Sequence, residues 1–68
     1  MSSPNIAKII KKLREELQLS QRQFAKLAGK PHSTIARIEN GSMSPTISLL
    51  QEIASSAGKE LKITFVNQ

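Results

Sequence analysis

Hydrophobic positions recur with a helical period over most of this chain and with the period of a strand near its end. Ile6, Ile9, Ile10, Leu13 and Leu17 follow one another at three- and four-residue spacings, which predicts a helix over about 4–17 with one continuous buried stripe. Ser3 and Pro4 are suited to start it, serine as N-cap and proline at the first helical position, with Met1 and Ser2 expected to fray. Lys8, Lys11, Lys12, Glu15 and Glu16 take the remaining faces. Ser20 and Gln23 form a Ser-x-x-Gln capping box for a second helix over about 20–28, with Phe24, Leu27 and Ala28 on its apolar face. Gly29 suits the left-handed conformation that ends a helix, and a third helix over about 31–39 begins at Pro31 or His32 and turns Ile35 and Ile38 inward. After the loop of Asn40 to Pro45, Thr46 caps a fourth helix over about 46–57. Its apolar face is Ile47, Leu50, Ile53, Ala54 and Ala57, and Gly58 closes it.

Beyond Gly58 the pattern alternates. Leu61, Ile63 and Phe65 fall on one face and Lys62, Thr64 and Val66 on the other, predicting a half-buried strand over about 60–66. One strand cannot satisfy its own backbone N–H and C=O groups, and nothing else in the chain reads as a strand. The expected partner is the same strand of a second copy, antiparallel across a two-fold axis, with Leu61, Ile63 and Phe65 as dimerisation residues. The predicted fold class is therefore mainly α: one domain over 1–68, with four helices and a terminal strand that pairs in a homodimer.

Residues 19–41 organise the rest, because two short helices joined by a tight turn at Gly29, Lys30 and Pro31 have the layout of a helix-turn-helix, whose second helix enters a DNA major groove. Charge supports that direction. Ten Lys and Arg against five Glu give +5, and the excess is concentrated before Met43, where eight basic residues face Glu15, Glu16 and Glu39. A basic face of this kind is the electrostatic footprint of phosphate binding.

These residues resemble the helix-turn-helix of the lambda-repressor-like (XRE) family of bacterial and phage regulators. The resemblance runs through Leu19-Ser20-Gln21, Phe24-Ala25, Ala28-Gly29, Ser33-Thr34-Ile35, Arg37-Ile38-Glu39 and Gly41. Two positions depart from the pattern: Lys30 stands where the family mostly has an apolar residue, and Pro31 where it mostly has a Ser or Thr cap. The terminal strand, in place of a fifth helix, resembles the DNA-binding antitoxins of the HipB type. By this resemblance His32, Ser33 and Arg37, with Thr34 beside them, face DNA bases. Gln21 and Asn40 contact phosphates, with Arg22, Lys30 and Ser42 as further contacts and Lys30 reaching out of the turn toward the backbone. The resemblance also implies that Arg14 pairs with Glu39, bracing the first helix against the third.

Other chemistries find little support. With one His and no Cys, Asp or Tyr, one chain can assemble neither a nucleophilic triad nor a metal cluster, and no glycine-rich phosphate loop is present. No enzyme activity, cofactor or metal is expected. No apolar run approaches the roughly 18 residues that span a bilayer, and the N-terminus lacks a signal-peptide core, so the expected location is cytoplasmic and no membrane is involved. The reading that results is a homodimeric transcriptional repressor on a pseudo-palindromic double-stranded DNA operator. It is cast as an antitoxin-type autoregulator that also binds a toxin protein. The alternatives are a free-standing repressor without a protein partner and a subunit devoted to protein assembly.

Overall fold

A computed structural model describes residues 4–67, so the expected Ser3 cap and the fraying of Met1 and Ser2 lie outside the described residues. Four helices follow in order: α1 Pro4–Glu16, α2 Gln21–Ala28, α3 His32–Glu39 and α4 Ile47–Ser56. The capping box forms as the sequence predicts. Ser20 Oγ accepts from the Gln23 backbone N–H at 3.1 Å, and the Ser20 N–H donates to Gln23 Oε1 at 2.8 Å. Thr46 Oγ1 likewise accepts from the Leu49 N–H at 3.0 Å and starts α4. Pro31 is the cap of α3 and not its first residue: its ψ of 147° is extended, and no side chain caps the first turn.

All four helices end in the same way, with paired bonds to carbonyls three and five residues back and one residue in the left-handed region between them. At Gly29 (φ 68°) the bonds run from the Gly29 N–H to Lys26 O at 3.1 Å and from the Lys30 N–H to Ala25 O at 2.9 Å. α1 closes through the same motif on Gln18 (φ 58°), the one non-glycine with positive φ among the described residues. There the Gln18 N–H donates to Glu15 O at 2.9 Å and the Leu19 N–H to Arg14 O at 3.2 Å. Leu17 thus sits in the turn and not in the helix.

Ile10 from α1, Phe24, Ala25 and Ala28 from α2, Ile35 and Ile38 from α3, and Ile53 from α4 make one buried cluster. Phe24, Ile35, Ile38 and Ile53 are wholly buried, each worth roughly 1.5–3 kcal/mol in removed apolar surface. α1 packs on α3, α3 on α2, and α2 on α4. Because α2 has neighbours on two sides, the small Ala25 and Ala28 are drawn inward for close approach, and Leu27, expected inside, lies on the exposed flank.

Two further expectations are corrected at the far side of the molecule. Ile9 and Ile47 belong to apolar faces but are 62% and 57% exposed. They line an apolar cleft of about 880 Å³ between α1 and α4, whose floor includes Ile10, Leu50, Ile53 and Ala54. The predicted strand is also corrected: residues 59–67 have no regular secondary structure, and no strand occurs among the described residues. The physical reason is the one that made a partner necessary, since a ladder requires a second backbone and one chain supplies none. Leu61 is half-buried, but Ile63, Phe65 and Val66 are exposed, Phe65 completely (100%).

Candidate nucleic-acid interface

The turn of α2 and α3 places Ile35 and Ile38 in the core, which rotates the opposite side of α3 to solvent. His32, Ser33 and Arg37 are exposed there, while Thr34 is half-buried. Ser33 and Arg37 are one turn apart on the same face, and Asn40 continues the line past the helix end. Arg22 is exposed near the start of α2, beside the half-buried Gln21. A basic fork on a helix flanked by amides and a second cation is suited to base edges at its centre and phosphates around them.

What holds α3 in place is an ion pair at its far end. Arg14 Nε donates to Glu39 Oε2 at 2.7 Å and Arg14 Nη2 to Glu39 Oε1 at 3.1 Å, a bidentate fork with the two side chains only 14% and 4% exposed. The third guanidinium nitrogen, Nη1, donates to Leu19 O at 2.8 Å, satisfying a carbonyl of the α1–α2 connection. One arginine therefore ties the end of α1, the loop after it and the end of α3. Its proton is held more firmly than usual, first by the hydrogen bond to Glu39, against the opposing effect of burial. For Glu39, burial pushes the carboxyl up, but hydrogen bonds from Arg14 and Gln21 and the charges of Arg14 and Lys11 outweigh it. The carboxyl lies below its ordinary range.

Several of the named residues have partners that sequence reasoning missed. Gln21 Nε2 donates to Glu39 Oε1 at 3.1 Å, so its amide is part of the brace. Asn40 Oδ1 accepts from the Ser42 N–H at 2.9 Å, a local turn that shapes the loop after α3 and leaves the amide nitrogen without a partner among the described residues. Ser42 Oγ donates weakly to Arg37 O at 3.4 Å. Lys30 lies against α4, its Nζ 2.6 Å from Glu52 Oε1. The departure at Lys30 carried the only available signal for that pair, since a cation in a turn normally filled by an apolar side chain calls for a carboxylate nearby. Among the described residues no group of three or more His, Cys, Asp or Glu could hold a metal ion, and no helix is long and apolar enough to cross a membrane.

A buried brace, a tight glycine turn and a second helix that presents His32, Ser33 and Arg37 to solvent define the class of helix-turn-helix domains. Comparison with known proteins gives the family. The helix-turn-helix family model HTH_3 matches residues 10–62, and the chain belongs to that family. It is 39% identical over 67 residues to the HTH-type transcriptional regulator PuuR of Escherichia coli K12, an alignment covering 96% of this chain and 36% of PuuR. Among solved structures, an HTH_3 family transcriptional regulator from Vibrio cholerae superposes with a TM-score of 0.82 at 37% identity, over 88% of this chain and 34% of that one. Apo-HppE superposes with a TM-score of 0.74 at 30% identity, also over 88% of this chain and 34% of its own. The chain thus spans about a third of the length of the relatives it matches.

Proposed function

We propose that this domain binds double-stranded DNA as the sequence-reading unit of a transcriptional repressor in the cytoplasm, as a homodimer on a pseudo-palindromic operator. The observation that carries the reading is the exposed Ser33–Arg37 face of α3, set on the bidentate Arg14–Glu39 brace within the family's helix-turn-helix. Arg37 is the principal reader, since its fork can take O6 and N7 of one guanine together. His32, Ser33 and Thr34 lie beside it at the front of the helix. Asn40 and Arg22 flank it as phosphate contacts with Gln21 and Ser42, and Lys30 offers a charge already shared with Glu52.

Two such domains joined by their tails would present two recognition helices to half-sites one DNA turn apart, roughly 34–36 Å. In its antitoxin form the reading adds a toxin protein as a second partner. Co-purification with the product of an adjoining gene supports that form, and separate elution supports a free-standing repressor.

Selection of bound sequences from random DNA, followed by gel shifts on the selected operator, tests the DNA reading. Arg37→Ala is expected to cost about 1–3 kcal/mol of discrimination at one base pair. Arg22→Ala is expected to weaken all sequences about equally and to lower the log–log salt slope by about 0.9. Retention on DNA that neither substitution alters would sink this reading in favour of a protein-assembly role.

A further inference from the structure

The tail and the α1–α4 cleft carry complementary features on one surface. After the Lys59 N–H, which donates to Ala54 O at 2.8 Å, no bond between backbone groups occurs in the rest of the described tail. Leu61 and Ile63 line the cleft, whereas Phe65 projects fully into solvent and does not fill it. One copy thus presents an apolar knob and an apolar hollow that stand apart, and a two-fold axis can satisfy both at once.

We propose that the homodimer, whose existence rests on the reading above, pairs its tails antiparallel about Ile63, so that the second copy's Phe65 lies opposite Leu61 and enters this copy's α1–α4 cleft. The residues select that register. Directly opposite residues in an antiparallel pair share a face. A two-fold axis falling between two residues would set apolar side chains of one tail against polar ones of the other. Centred on Leu61, the pairing puts Ile63 against Lys59 and Phe65 against Ala57, the residue that caps α4. Centred on Lys62, it sets the two Lys62 ammonium groups face to face and Phe65 against Lys59. Centred on Thr64, it leaves Leu61 against Asn67. Centred on Ile63, Leu61 meets Phe65 twice, Ile63 meets itself, Lys62 meets Thr64, and no like charges are directly opposed. Leu61 is half-buried at the cleft, so the aromatic ring across from it arrives beside the exposed Ile9 and Ile47.

The chain contains no cysteine, so a single introduced thiol reports the register directly. Opposed residues are about 4.5–5.5 Å apart at Cα, within disulfide reach. With oxidised glutathione as oxidant, Ile63→Cys is expected to form a disulfide-linked dimer. Lys62→Cys and Thr64→Cys are expected to link only when mixed with each other. Phe65→Asp and, from the cleft side, Ile9→Glu should each weaken the dimer at least tenfold by sedimentation. Helical circular dichroism should be unchanged, since both residues are exposed. A dimeric wild type in which Lys62→Cys or Thr64→Cys links alone, or in which Ile63→Cys does not link, overturns the register while leaving the homodimer intact. A dimer untouched by Ile9→Glu overturns the cleft placement. A wild-type chain that sediments as a monomer overturns both this proposal and the homodimer beneath it.

Discussion

The two ends of α1 face opposite situations. At its C-terminal end Arg14 is bound on every nitrogen that its guanidinium offers, to Glu39 and to the Leu19 carbonyl, and the pair is nearly out of water. Nearer its N-terminal end, Ile9 stands exposed on the rim of a cleft, with nothing over it among the described residues. The braced side carries α3, and the open side carries the tail. Saturated polar chemistry ties one helix end within the chain, whereas the apolar surface on the other side stays uncovered among the described residues. A domain of this size has little net stability to spare, rarely more than roughly 3–5 kcal/mol once chain entropy is set against its core, so disturbing either side should be measurable.

Breaking the brace is expected to have the largest effect. Arg14→Ala leaves the Glu39 carboxylate buried without its counter-ion, at a cost of roughly 3–5 kcal/mol. That is comparable with the whole stability of such a domain. Urea denaturation should show a large unfolded fraction in buffer alone, and a midpoint unchanged from wild type would show that the pair is not structural.

Acid attacks the same bond more gently. Glu39 titrates below the ordinary carboxylate range in the folded chain, so between its unfolded and folded pKa values the unfolded state binds more protons. Its contribution is present above the unfolded value, about 4.3, and is lost as pH falls through the lower folded one. Thermal melts below pH 5 should therefore fall for wild type, and they should fall less steeply for Glu39→Gln. Parallel pH profiles for the two proteins would place the acid sensitivity elsewhere.

The braced side was more legible in the sequence than the open side, and the reasons are physical. A capping box is a contract between residues three apart, so Ser20 and Gln23 declare it locally. Helical period likewise identifies Phe24, Ile35, Ile38 and Ile53 as inward-facing. Period does not say whether another element covers a given apolar position, so it could not tell the buried Ile10 from the exposed Ile9, or Leu50 from Ile47. Nor does it weigh the small Ala25 against the larger Leu27 where two neighbours press on one helix. At the site, exposure of His32, Ser33 and Arg37 followed from the inward isoleucines. The bond from Gln21 to Glu39 joins residues 18 positions apart, which no local pattern encodes, and the one from Lys30 to Glu52, 22 apart, is signalled only by a cation in the turn, without its partner.

Gln18 offers a smaller test on the braced side. It holds a left-handed conformation that the other three helices give to glycine, at a local cost of roughly 1–2 kcal/mol for a residue with a Cβ. Glycine would remove that cost but lose more entropy on folding, roughly 0.5–1 kcal/mol. Gln18→Gly is therefore expected to gain between about 0 and about 1.5 kcal/mol, raising Tm by up to several degrees for a domain of this size. A lower Tm would mean that the Gln18 side chain contributes more than its backbone costs.

The smallest expected effect joins the two sides. Lys30 sits in the turn that sets the angle of α3, yet its ammonium is held by Glu52 on α4. Both groups reach solvent, so the pair contributes less than about 1 kcal/mol, and Glu52→Gln should barely move the melting curve. Its consequence lies in DNA binding, because the substitution returns a full positive charge to the turn without altering the fold. If Lys30 then reaches a phosphate, the log–log salt slope steepens by about 0.9, the signature of one more released counterion. An unchanged slope would instead assign Lys30 to the interior architecture, as a link between α4 and the turn, and would leave Arg22 and the amides around α3 to hold the backbone.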